Sequence, residues 1–133
     1  ARDIAQRFNH VFGRGREYFV LPQAQIDDHV ATLPGLDGRK MSKSYDNTIP
    51  LFEGGAKGLK DAIARIVTDS RTPGEPKEPE GSALVMIHDA FASAEQREAF
   101  RADLRGGLGW GEAKQRLLAL IEGHIGPMRE VYE

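Results

Sequence analysis

The chain contains no cysteine and one tryptophan, and aromatic residues make up only 8% of it. Without cysteine there is no disulfide framework and no thiolate metal site. An excess of charge of one sign is also lacking. The formal net charge of -2 gives no global attraction to nucleic acid or to a membrane surface, so any polyanion site has to be local. No apolar run approaches the roughly 20 residues of a membrane span, and no signal-peptide pattern opens the chain. A soluble, cytoplasmic protein with no membrane partner is the expectation. What is present is 133 residues of 40% hydrophobic content, enough for one ordinary domain or for a domain and part of another.

The opening "ARDIAQRFNHVF" places Ile4, Phe8, Val11 and Phe12 at the spacing of one helical stripe. It has no capping residue before it, which suggests a piece of something longer. After the Gly13–Gly15 break, "EYFVLP" (17–22) reads as a strand closed by Pro22. A second short strand is expected around His29–Leu33. Residues 35–50 hold glycines, a Lys/Ser cluster and Pro50, hence a loop. Leu59, Ala62, Ile63, Ile66 and Val67 then make one helical face, with i, i+4 pairs Lys57–Asp61 and Asp61–Arg65 opposite. "TDSRTPGEPKEPEGS" (68–82) reads as a mobile surface connection. Ser82 is the expected N-cap of a helix with Leu84, Ile87, His88 and Phe91 along one side. Ser93 and Gln96 fit a capping box before Phe100 and Leu104. The last helix, about 111–132, carries Leu117, Ile121, Ile125, Met128 and Tyr132, with a kink expected where Pro127 removes the hydrogen bond to the carbonyl of Gly123. The fold class is mainly α: a short αβ segment, a charged loop, then a helical bundle.

The loop carries "GRKMSKSYDN" (38–47). Each lysine is a point charge with three donors on a flexible stem, and the serine hydroxyls can donate to the same anion. Such a set suits a polyphosphate whose charge moves during reaction. Stabilising charge that develops on a leaving group is worth roughly 2–4 kcal/mol per donor. Met41 adds an adaptable apolar surface. A generic Lys/Ser-rich stretch is a solvated loop, but this string is more specific than that. Chance would place "KMSKS" in such a chain on the order of one time in ten thousand or less.

"KMSKS" is the signature of class I aminoacyl-tRNA synthetases. Together with "GRKMSKSYDNTIPLF", "IVTDS" (66–70) and the opening "RDIAQRFN", it makes the chain resemble the C-terminal part of the tryptophanyl-tRNA synthetase family. The resemblance implies that residues 1–36 are the C-terminal edge of a Rossmann-type catalytic domain, 37–50 the ATP-gating loop and 51–133 a helical anticodon-binding domain. It implies a ligase that activates tryptophan with ATP and Mg2+ and transfers it to tRNA(Trp), working as a homodimer. Lys40 and Lys43 would be catalytic, neutralising the departing pyrophosphate. Ser42 and Ser44 would add hydrogen bonds, and Met41 would meet the adenine side of the site. The family's second motif, HIGH-like, precedes the lysine loop. Here "GHIGPM" (123–128) follows it, lies in a helical segment and lacks a second histidine, so His124 reads as a helix-surface residue. The chain taken alone is not expected to activate an amino acid. Alternatives are a non-catalytic RNA-binding module descended from a synthetase, which would have no need of the lysine pair, and a tyrosyl-tRNA synthetase, against which "IVTDS" and "SYDNT" weigh.

Other clusters are weaker. Asp27, Asp28 and His29 have no second ligand group at hairpin or helical spacing and read as solvated loop. Thr68–Ser70 is a helix terminus beside arginines, or, from the resemblance, a polar patch near the anticodon surface. Trp110 and the phenylalanines read as packing, His88 as a core-edge histidine, and Asp46–Asn47 as a turn after the loop.

Overall fold

The computed structural model describes residues 1–26 and 32–132. Five α-helices account for its regular structure: α1 (Arg2–Phe12), α2 (Gly55–Ala64), α3 (Ala83–Phe91), α4 (Ala94–Arg105) and α5 (Trp110–Tyr132). A single 3-10 turn spans Lys43–Tyr45. The core is an α2–α5 bundle in which α5 packs against both α2 and α3, and α4 against α3. Leu59 and Ile63 of α2, Leu84 and Ile87 of α3, Phe100 and Leu104 of α4, and Leu117 and Ile121 of α5 are buried together. The 3.6-residue apolar spacing is what turns one face of each helix inward.

The ends of the elements follow their local chemistry. Ser93 and Gln96 close the expected capping box at the start of α4. Ser82 does occupy the N-cap of α3, but its side chain makes no cap hydrogen bond. Helix α2 stops at Ala64, whose carbonyl accepts from Lys114 Nζ at 2.8 Å. Ile66 is still buried, whereas Val67 is exposed. Of the two ion pairs expected on α2, Lys57–Asp61 forms, fully in solvent. Helix α5 runs on through Pro127. Its buried stripe leaves the expected path: after Ile125 the inward position is Arg129, and Met128 and Tyr132 are exposed. A strict step of four from Ile125 falls on Arg129, whose guanidinium donates to the Leu51 carbonyl at 2.8 and 3.1 Å and pairs with Glu122 at 3.0 Å. Buried cationic groups persist only when paired and hydrogen-bonded in this way.

Two expectations need correction. Residues 17–22 form no strand. A strand needs a neighbour to satisfy its ladder. Here Asn9 of α1 takes that part, its Oδ1 accepting from Tyr18 N at 3.1 Å and Phe19 N at 3.0 Å and its Nδ2 donating to Phe19 O at 2.7 Å. The second strand was expected around His29–Leu33. Residues 29–31 of it lie outside the described residues, as do Asp27 and Asp28; of the remainder, Leu33 joins the hairpin described below. The connection 68–82 is pinned rather than loose. Lys77 is buried with its ammonium on the carbonyls of Thr72 and Glu75, each at 2.8 Å, and Lys77 N donates to Leu104 O at 2.9 Å. Gly107 (φ 103°) backs directly onto Gly74, where a Cβ would stand 2.8 Å from backbone atoms.

Helix α1 buries none of its side chains. Its apolar stripe, Ile4, Phe8, Val11 and Phe12, is exposed, with the ring of Phe19 lying 4.8 Å from that of Phe8. Among the described residues no helix is long and apolar enough to cross a membrane.

Candidate functional site

Residues 33–41 pair as a small hairpin, and buried Leu36 and Asn47 close the base of a loop that carries residues 37–46 toward solvent. An isolated antiparallel bridge joins Pro34 and Lys40. Met41 N donates to Leu33 O at 2.9 Å, Gly35 N to Arg39 O at 2.6 Å and Gly38 N to Gly35 O at 3.0 Å. Gly38 turns the chain at φ 81°, a conformation open to glycine. The base is tied to the helices through Leu36. Its side chain belongs to the core cluster, and its carbonyl accepts from Val67 N, just beyond α2, at 2.9 Å.

One buried amide closes the hairpin. Asn47 is 2% exposed. Its Oδ1 accepts from Ser42 N at 2.8 Å, and its Nδ2 donates to Asp37 Oδ1 at 2.7 Å and to Lys40 O at 3.2 Å. Its backbone carbonyl accepts from Leu36 N at 2.9 Å. Gly35 leaves room for it: a Cβ there would lie 2.3 Å from Asn47 Cγ and Nδ2. Asp37 in turn holds Arg39, Nε to Oδ2 at 2.6 Å, and the guanidinium lies 4.4 Å over the Tyr45 ring. The Asn47 amide, aided by Arg39, keeps the Asp37 carboxyl below the usual carboxylate range despite some desolvation.

On this frame sit the five residues singled out in the sequence. Lys40, Lys43 and Ser44 are exposed, and Met41 and Ser42 are half-buried. Among the described residues no ion pair involves either lysine. Ser42 caps the 3-10 turn, accepting from Ser44 N at 3.3 Å, and the two hydroxyls lie 2.9 Å apart. Whichever hydroxyl donates in that pair, the other keeps its proton for an external acceptor. Two cations and a hydroxyl thus stand in solvent on an anchored base, a donor set whose chemistry suits a polyanion.

The remaining candidates sort cleanly. Thr68 and Asp69 line a cleft of about 390 Å³ that reaches Gly38 at the loop turn. Trp110 Nε1 donates to Asp69 Oδ1 at 2.7 Å, and with the Arg71 backbone amide this bond holds Asp69 below the usual carboxylate range. The same cleft is lined by Glu78 and Glu80, so it repels phosphate. Trp110 packs in the core, as expected. His88 is buried against Phe100, rings stacked at 4.0 Å. Its Nδ1 is unpartnered, and burial pulls its pKa below the ordinary histidine value. His124 is exposed on α5 with Nδ1 2.9 Å from Leu120 O, apart from the loop in sequence and in role. Asn47 and Gly35 were not legible as a pair, because a contact twelve residues apart across a loop leaves no periodic trace.

Comparison with known proteins then bears on this geometry. The family described as "tRNA synthetases class I (W and Y)" matches residues 1–124. The tryptophan–tRNA ligase of Pseudomonas aeruginosa is 68% identical over 133 residues, covering 100% of this chain and 30% of that protein. That of Bordetella pertussis is 63% identical over 132 residues, 99% of this chain and 29% of that protein. Among solved structures, tryptophanyl-tRNA synthetase from Campylobacter jejuni complexed with ADP and tryptophan aligns with a TM-score of 0.73 at 38% identity, covering 98% of this chain and 40% of that one. The chain thus spans about 30% of the length of the curated relatives it matches.

Proposed function

Because this chain belongs to the class I tRNA synthetases of the W and Y type, we propose that it supplies the phosphate-gripping loop and the helical tRNA-binding part of a tryptophan–tRNA ligase. The observation that carries the reading is the lysine pair, displayed in solvent on a hairpin whose base is locked into the core. Tryptophan, rather than tyrosine, is supported by the relatives from Pseudomonas aeruginosa and Bordetella pertussis, both tryptophan–tRNA ligases.

In the proposed reaction a tryptophan carboxylate oxygen attacks the α-phosphorus of ATP. A bond forms from that oxygen to phosphorus, the bond from the α-phosphorus to the bridging oxygen breaks, and pyrophosphate leaves with the electron pair. Lys40 and Lys43 meet the negative charge that grows on the leaving group, and the hydroxyl of Ser42 or Ser44 adds a donor. Met41, half-buried beside them, offers its backbone to the adenine side. Interactions stronger in the transition state than in the ground state are those that accelerate a step, and long lysine stems can follow the moving oxygens. A lysine and hydroxyl set is not a magnesium cage. Mg2+ at a nucleotide site is held largely by phosphate oxygens and water, and it would share the triphosphate charge with these ammonium and hydroxyl donors; among the described residues no group of three His, Asp or Glu gathers to hold it.

The activated tryptophan then passes to tRNA(Trp), for which the α2–α5 bundle is the proposed anticodon-side platform. Residues 1–36 are the proposed edge of the nucleotide-binding domain. The unburied stripe of α1 supports this, since such a stripe calls for a partner.

The test is a chimera in which this chain replaces the matched 30% of the Pseudomonas aeruginosa relative. Tryptophan-dependent exchange of pyrophosphate into ATP near the parent's rate is the expected result. A folded chimera without exchange would overturn the reading.

A further inference from the structure

Between Lys40 and Lys43 the backbone has to take one particular course, and among the described residues neither lysine forms an ion pair. What sets that course is the Asn47 carboxamide. It reaches both lysine flanks at once, donating to the carbonyl of Lys40 at 3.2 Å and accepting from the amide of Ser42, the neighbour of Lys43, at 2.8 Å. Its third bond, to Asp37 at 2.7 Å, joins the ascending limb of the hairpin to the descending one. The amide is 2% exposed, so these bonds compete with little water. Gly35 leaves the space it fills. Leu36, next to it, is core and hydrogen-bonds the Asn47 backbone.

We propose that Asn47 is a positioning residue for the adenylation step: a buried peg that registers the Lys40–Ser44 tip on the helical bundle so that both ammonium groups arrive together on the leaving pyrophosphate. It touches no substrate and acts through Lys40 and Lys43. The inference rests on the ligase reading above. The chemistry requires an amide, because Asn47 accepts on one side and donates twice on the other. A carboxylate keeps the acceptor for Ser42 N but faces Asp37 with like charge and offers the Lys40 carbonyl no proton.

The test uses the chimera for kinetics and the 133-residue chain for structure. In the chimera, Asn47→Ala lowers kcat of pyrophosphate exchange by about 100-fold, the scale of a misplaced catalytic group, while KM for tryptophan stays within about twofold. Asn47→Asp is impaired most near pH 8 and recovers toward pH 6, as a proton shared with Asp37 restores the donor, on the order of tenfold relative to the unsubstituted profile. Unchanged kcat in Asn47→Ala overturns the proposal. So does an Asn47→Asp profile parallel to the unsubstituted one, which would mark a merely structural residue. In the chain itself, hydrogen exchange at the Ser42 amide quickens at least about tenfold in Asn47→Ala while amides of α3–α5 hold their rates. Equal rates at Ser42 overturn the peg whatever the kinetics. An unsubstituted chimera with no exchange sinks the ligase reading, and Ser42 exchange then still judges the peg alone.

Discussion

Replacing Gly35 with alanine adds one methyl group at the place where the hairpin is most crowded. The new Cβ would stand 2.3 Å from Asn47 Cγ and Nδ2 and 2.5 Å from the Asn47 backbone carbonyl oxygen, well inside ordinary contact. The carboxamide is the movable part, so it is expelled and its three hydrogen bonds go with it. At about 1 kcal/mol net each these cost about 3 kcal/mol. The stiffer unfolded chain that alanine brings returns about 0.4–1 kcal/mol, leaving a loss of about 2–3 kcal/mol. The loss is global because Leu36 is core and the base of the hairpin is bonded to the end of α2. Thermal unfolding followed by circular dichroism should show a midpoint lower by about 10 °C. In an Asn47→Ala background the same Gly35→Ala change should cost less, since the carboxamide it evicts is already gone and the backbone carbonyl oxygen at 2.5 Å is the close contact left. An unchanged midpoint, or full additivity of the two substitutions, would refute the packing argument.

Three further outcomes follow from the same geometry. Ser93→Ala, which breaks a formed capping box, lowers stability by about 1 kcal/mol in urea unfolding, whereas Ser82→Ala, whose side chain caps nothing, stays within about 0.5 kcal/mol. Arg129→Met strands the Leu51 carbonyl and half-buried Glu122 and costs about 2–3 kcal/mol by the same assay. His88 is held neutral by burial; the attraction of Asp89, at 3.7 Å, opposes this only in part, and Arg101 and Arg97 reinforce it. Its folded pKa lies below its unfolded one, so its contribution is present above about pH 6.5 and is lost as pH falls through the window beneath. Unfolding free energies between about pH 7 and 5 should therefore slope less steeply in His88→Leu than in the parent chain.

The helices were legible because their signals are local. The period of Leu59, Ala62 and Ile63, the capping pair Ser93 and Gln96, and the step of four through Leu117, Ile121 and Ile125 each lie within a few residues. The lysine loop was legible as chemistry, since its residue types name a polyanion. What escaped was decided at a distance. Whether "EYFVLP" is a strand depends on a ladder partner that the described residues do not offer, and Asn9 takes those amides instead. Pinning of the 68–82 connection depends on Lys77 meeting two carbonyls and Gly107 meeting Gly74, contacts that composition cannot foretell. Met128 was read as core because it is apolar and three residues from Ile125. Geometry chose the next position instead, where Arg129 found Leu51 and Glu122. Asn47 looked like a turn residue and is the most buried polar group of the site, level with Lys77 in the chain.

In the proposed reaction the ammonium groups of Lys40 and Lys43 carry the charge stabilisation of adenylate formation. Single-turnover formation of tryptophanyl-adenylate by the chimera, with and without Lys43→Ala, measures that directly. At roughly 2–4 kcal/mol of lost transition-state stabilisation the expected rate is lower by about 30- to 1,000-fold, with the affinity for tryptophan held. An adenylate rate equal to that of the unsubstituted chimera would contradict it.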